Sequence, residues 1–237
     1  MVPSAAGALT DRELMDRALA AAASVRTSTA PNPWVGAVLR TADGTTHVGA
    51  TEPPGGAHAE IVALRSAGDA ARGATLVTTL EPCSHQGRTG PCAEAVIAAG
   101  VARVVVGVLD PDEQVGGAGV ARLRAAGIDV DVGVAASEVG RQLAPYLHHR
   151  RTGRPWVVLN TAASLDGRTA APDASSQWIT SEEARADSHR IRAESDAILV
   201  GAATVRADNP SLTTRLVDGP SPRRIVLGTA RADAAVH

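Results

Sequence analysis

Residues 102–110 read ARVVVGVLD, and from Val104 to Leu109 no position is polar. A strand with one wet face would alternate; this run has no face to turn to water. It is also too short and too β-branched for a buried helix, so it is a strand covered on both sides. That demands a layered fold, and the neighbouring sequence supplies the layers. Thr10 and Glu13 have the form of a capping box opening the helix DRELMDRALAAAASVR, which sets Leu14, Ala18, Leu19 and Ala22 on one face. The prolines of PNPWVGAVL forbid helix and lead into a strand at Val35 to Leu39. HAEIVALRSAG predicts a helix stopped by Gly68, ATLVTTLEP a strand, PCAEAVIAAG a helix with Pro91 in its first turn, GVARLRAAG a helix and IDVDVGV a strand. Strands alternating with helices make a layered α/β domain over residues 1–147.

The run HHRRTGRP reads as a linker, residues 148–154, before a second unit at 155–237. There WVVLNTAAS, AILVGAAT and RRIVLG are expected as strands and SEEARADSHRIRAES as a helix. The formal charge of −2 argues against a chain built to grip nucleic acid. No apolar run approaches the roughly 20 residues of a membrane helix, and MVPSAAGALTDRELM is not a signal peptide. A soluble, cytoplasmic protein without nucleic-acid or membrane partners is expected.

Both cysteines of the chain lie in TLEPCSHQGRTGPC. They could pair, hold a metal, or be buried neighbours; a reducing compartment disfavours the disulfide. His58 opens one helix, Cys83 closes the strand after it, and Cys92 opens the next helix, so the three can meet at one sheet edge. One imidazole and two thiolates suit zinc and leave a fourth position open. Glu60, two residues beyond His58, is placed to carry a proton without binding the metal. H-x-E with Pro-Cys and a second cysteine is the pattern of zinc nucleobase deaminases.

PNPWVGAV, HAEIVALRSAG, TLEPCSHQGRTGPC, AGVARVVVGVLDP and AGIDV together resemble the deaminase domain of the bifunctional riboflavin-biosynthesis deaminase/reductases. The resemblance implies a cytidine-deaminase-like three-layer α/β/α domain with zinc on His58, Cys83 and Cys92 and with Glu60 as acid and base. It implies that Asn32, His85, Arg88 and Asp110 face a pyrimidine ribonucleotide phosphate. The reaction implied is hydrolytic loss of the 2-amino group of 2,5-diamino-6-ribosylamino-4(3H)-pyrimidinone 5′-phosphate. Asp112-Glu113 stands where the family more often has Asn-Pro.

From residue 155 onward, ASLDGRTA and SSQWITSEEARADSHRIRAESDAILVGAATVRADNPSLTTR resemble the beginning of the family's reductase domain, a dihydrofolate-reductase-like α/β domain using NADPH. The resemblance assigns Ala162, Trp178, Thr204, Asp208 and Thr229 to the cofactor, and Ser176, Arg192, Leu212 and Arg215 to the substrate and its phosphate. Asn160 and Asn209 replace the family's usual lysine and aspartate. Because the stretch is shorter than the family's reductase domain, ribosyl-to-ribityl reduction is expected only with the missing part supplied. A homo-oligomer is plausible on family grounds. Two alternatives stay open: a paralogous deaminase acting on a related pyrimidine or purine, and a non-catalytic zinc-stabilised interaction module. An editing deaminase acting on nucleic acid is disfavoured by an aromatic content of 2%, which leaves few rings to stack flipped bases.

Overall fold

The computed structural model describes residues 9–85, 90–112, 115–173, 175–229 and 234–236. They form two compact units that part between Trp156 and Val157.

In the first unit α1 (Asp11–Ser24) starts on a reciprocal cap: the Glu13 amide donates to Thr10 Oγ1 at 3.2 Å, and the Thr10 amide donates to Glu13 Oε2 at 2.7 Å. Its buried stripe is Leu14, Met15, Ala18 and Ala22. Then β1 (Gly36–Arg40) and β2 (Thr46–Ala50) form a hairpin. The sequence reading assigned no strand at β2, although Asp43-Gly44 is a hairpin signal. The turn forms as that dipeptide dictates: Gly44 has φ 89°, and the Thr45 amide donates to Asp43 Oδ1 at 3.0 Å. There follow α2 (Ala59–Ala67), β3 (Thr75–Leu80), α3 (Cys92–Ala98), β4 (Arg103–Val108), α4 (Ala118–Ala125), β5 (Asp129–Val132), α5 (Ala136–Gln142) and α6 (Ala144–Thr152). Residues 148–152, read from sequence as part of a linker, are thus the end of α6; Gly153, at φ 67°, stops that helix and its amide donates to the His149 carbonyl.

The sheet order is β2-β1-β3-β4-β5, with β1 antiparallel to both neighbours and β3, β4 and β5 parallel. One face carries α1 and α5, the other α2, with α3 and α4 beside it. Covered on both sides, Val104, Val105 and Val106 of β4 have no exposed surface. Burial of such side chains contributes roughly 1.5–3 kcal/mol each.

The second unit contains α7 (Glu182–Ala193), β6 (Ala197–Gly201), α8 (Ala202–Asp208) and β7 (Arg223–Leu227). β6 and β7 pair in parallel, and Val205, Leu212 and Val236 form a small core with Ile198, Val200 and Val226. AILVGAAT splits at Gly201: its first half is β6, and the rest enters α8. WVVLNTAAS, expected as a strand, is unpaired, and its Val157 and Leu159 are 81% and 87% exposed. Apolar composition does not make a strand without a neighbour to complete its ladder, and β6 and β7 pair with each other. No helix among the described residues is long and apolar enough to cross a membrane.

Candidate metal centre

Strand directions decide where the chemistry gathers. Because β1 runs against β2 and β3, its beginning lies at the sheet edge where β2, β3 and β4 end. The Val35 amide donates to Thr51 Oγ1 at 3.1 Å and the Gly36 amide to Thr79 Oγ1 at 3.2 Å, closing that edge. Onto it fall Asn32 before β1, His58 after β2, Cys83 after β3 and Asp110 after β4.

His58 is the extended residue preceding α2, and its ring is not spent on capping that helix. Cys92 is the first residue of α3, behind Pro91. Cys83 is clamped from the same turn, its carbonyl accepting from the Ala93 amide at 3.1 Å and its Sγ from the Cys92 amide at 3.3 Å. His58 Nδ1 lies 3.6 Å from Cys83 Sγ and 3.2 Å from Cys92 Sγ, and all three donor atoms are within 4.8 Å of one another. Tetrahedral zinc, with bonds of about 2.1 Å to nitrogen and 2.3 Å to sulfur, would hold nitrogen and sulfur about 3.5 Å apart. The donor set and its spacing fit that ion. Among the described residues the group has three members, the number that leaves a coordination position open.

The three donor groups shift one another's affinity for protons. The hydrogen bond from Cys92 holds the Cys83 thiol well below its ordinary pKa, helped by His58 and opposed by burial, while the Cys92 thiol is driven up by the same hydrogen bond. The contact with Cys83 raises the His58 pKa. Glu60, 3% exposed in the first turn of α2, has its carboxyl raised to about 7 by burial, against the pull of the His58 charge. A carboxyl in that range can both take and give a proton near neutrality.

Glu81 escaped the sequence reading. It is 4% exposed, and its carboxylate accepts from three backbone amides: Asp110 at 3.2 Å, Gly117 at 3.0 Å and Val120 at 3.0 Å. A charged residue at the end of an apolar strand was the available signal, but its partners lie 29 to 39 positions away. Asp110 is buried, and both its oxygens accept from Tyr146 Oη, at 3.1 and 2.9 Å. Tyr146 therefore ties α6 to the end of β4, a role the sequence reading did not give it. Arg150 of the same helix reaches Asp112 at 3.3 Å. Asn32 is half-buried, with its amide donating to the Thr29 carbonyl at 2.8 Å; His85 is exposed, and Arg88 lies outside the described residues.

Comparison with known proteins ends on the same chemistry. Residues 9–108 match the family described as the cytidine and deoxycytidylate deaminase zinc-binding region, and residues 155–236 match the RibD C-terminal domain. The riboflavin biosynthesis protein RibD of Mycobacterium tuberculosis is 51% identical over 222 residues, which cover 91% of this chain and 65% of that protein. Along both of its units the chain is similar to the RibD proteins. RibD of Escherichia coli is 50% identical over 205 residues, covering 86% of this chain and 56% of that protein. The solved structure of Acinetobacter baumannii RibD superposes with a TM-score of 0.87 at 40% identity, covering 95% of this chain and 66% of that one. A Thermotoga maritima structure titled diaminohydroxyphosphoribosylaminopyrimidine deaminase/5-amino-6-(5-phosphoribosylamino)uracil reductase has the same TM-score and identity, covering 92% of this chain and 63% of that one. The chain thus spans less than two thirds of the length of these RibD relatives.

In the RibD C-terminal unit, two of the expected substrate residues converge. Arg192 Nη1 lies 3.4 Å from Nε2 of His189, and the Arg215 amide donates to Nδ1 of the same ring at 3.0 Å. His189 is 4% exposed; burial first, then the two arginines, lower its pKa. Leu212 has φ 54° and its side chain belongs to the small core, so only its backbone is free to face a ligand. Ser176 is half-buried. Of the expected cofactor residues, Ala162, Thr204, Asp208 and Thr229 are exposed, and Trp178 is 64% exposed with the Arg185 guanidinium 4.5 Å above its ring. Side chains so open to water do not by themselves form a dinucleotide cleft.

Proposed function

We propose that the first unit is a zinc-dependent aminohydrolase that removes the 2-amino group of 2,5-diamino-6-ribosylamino-4(3H)-pyrimidinone 5′-phosphate in riboflavin biosynthesis. The observation that carries this is the approach of His58, Cys83 and Cys92 to within 4.8 Å, with the buried Glu60 two residues along α2. A structural zinc site has no use for a buried carboxyl poised near neutrality, which argues against an interaction module. Zinc, when bound, supplies the Lewis acidity that makes water a nucleophile at neutral pH. Glu60 would take one proton from that water and give it to the ring nitrogen, then take the second from the hydroxyl added at the ring carbon and pass it to the departing amine, which leaves as ammonia. Burial makes this alternation feasible, since a carboxyl at its ordinary value would hold the proton too weakly. Asn32, His85, Arg88 and Asp110 are assigned to the pyrimidine and its ribose phosphate. Asp110 brings to that assignment a carboxylate already held in place by Tyr146 Oη.

For the second unit, the match to the RibD C-terminal domain implies NADPH as cofactor. The exposure of the residues expected to hold it leaves deamination as the activity proposed for the chain. The test is ammonia release from the purified protein given that ribonucleotide, with and without a zinc chelator. Chelator-sensitive release is expected. Zinc-loaded protein that releases no ammonia from it, but does so from another pyrimidine or purine, would transfer the reading to a paralogous deaminase.

A further inference from the structure

Glu81 stands two residues before Cys83 and holds backbone groups from two other segments. Its own amide donates to the Val108 carbonyl at 3.1 Å, binding the end of β3 to the end of β4. Its carboxylate oxygens accept from Asp110, Gly117 and Val120, the last two at the start of α4. The fit there is close: a Cβ on Gly119 would stand 2.0 Å from the Pro82 carbonyl oxygen, so the first turn of α4 lies directly on the backbone between Glu81 and Cys83. A buried carboxylate that accepts three amides is a rigid anchor, because each amide would otherwise be left without an acceptor.

We infer that Glu81 is a positioning residue for the metal centre: it fixes Cys83 for the ion without touching the ion. The inference rests on the zinc reading above. The helix α3 side of the clamp, Cys92 and Ala93, sets the direction of Cys83, whereas Glu81 sets its height at the sheet edge. Outer groups that orient a metal ligand typically change metal affinity by about 10–100-fold when removed.

The experiment is a Co²⁺ titration of the metal-free full chain, read by the thiolate-to-cobalt charge-transfer band, for the parent, E81Q, E81D and Y146F. Glutamine keeps the shape of Glu81 but turns one acceptor into a donor facing an amide. Aspartate keeps the charge but is one methylene too short to reach all three. Y146F removes hydrogen bonds from Asp110 and leaves Glu81 intact, so it controls for general loosening of the same sheet edge. The expected result is a loss of about 10–100-fold in affinity for E81Q, a smaller loss for E81D, and an affinity within about twofold of the parent for Y146F. E81Q binding Co²⁺ as the parent does would overturn the inference, as would an equal loss in Y146F. Variants at Glu81 that stay unfolded even with saturating Co²⁺ would also overturn it, since the residue would then serve the fold alone. A parent chain that takes up no Co²⁺ would reject the metal reading itself, with or without Glu81.

Discussion

Gly49 of β2 lies under α2, the helix whose start carries His58 and Glu60. A Cβ added there would stand 2.1 Å from the Ala59 carbonyl oxygen and 2.7 Å from the Ala63 amide nitrogen, both backbone atoms of that helix. Comfortable contact for carbon begins near 3.5 Å, so in G49A the helix must retreat by about 1 Å or the strand must sink by as much. Overpacking of this kind costs roughly 1–3 kcal/mol, which for a chain of this size lowers the melting temperature by about 2–12 °C. The larger effect falls on the site, because Ala59 sits between His58 and Glu60. A misplacement of about 1 Å in a catalytic group costs on the order of 100-fold in rate. Thermal melts, Co²⁺ affinity and ammonia release measured side by side separate the two effects. G140A is the comparison: a Cβ there meets nothing within 4 Å inside α5, so that variant gains helix propensity and melts no lower than the parent. G49A with the parent's melting temperature and turnover would refute the claim that α2 is held against β2 by backbone contact.

E60Q should bind zinc as the parent does and lose at least about 100-fold in turnover, because the amide cannot cycle a proton; retained ammonia release would reject Glu60 as acid and base. Arg103 donates to both oxygens of Asp11, at 2.9 and 2.7 Å, and pairs with Asp131, and this holds the Asp11 carboxyl below its usual value of 3.8. A depressed carboxylate stabilises the fold above its unfolded pKa and loses that contribution as the pH falls through the folded one. R103M should therefore be less stable than the parent at pH 7 in urea titrations, with the gap shrinking below about pH 4; a gap that does not change with pH would contradict this. Asn209 caps α8 in the left-handed region, at φ 41°, and its Oδ1 accepts from the Ala235 amide at 2.8 Å. N209A should destabilise the second unit by about 1–2 kcal/mol, visible as faster hydrogen exchange in β6 and β7, and N209G by less, since glycine relieves the backbone but not the lost acceptor.

Local chemistry decided a good deal of this in advance. The apolar run Val104–Leu109 could only be a doubly covered strand, and Thr10 with Glu13 could only be useful at a helix start. Imidazole and thiolate donors at helix starts and a strand end were legible as a metal set because donor chemistry is a property of the side chain, and strand-end positions share an edge in an α/β layer. The neighbouring carboxyl at Glu60 was legible for the same reason. Its rise to about 7 was not, because burial is a property of what packs over α2.

Other features depended on partners far along the chain. Glu81 reads as an ordinary acid until Asp110, Gly117 and Val120 bring their amides to it, and Asp110 reads as a free ligand until Tyr146 arrives from 36 residues away. WVVLNTAAS has the composition of a strand and no ladder to join, while residues 148–152, basic and polar enough for a linker, continue a helix that buries Leu147. Sequence determined which groups could bind a metal and which segments had to be covered. Tertiary structure decided which carboxylates are spent on amides from distant segments and which one is buried beside the metal donors, because a hydrogen bond between distant residues leaves no mark on the local pattern of either.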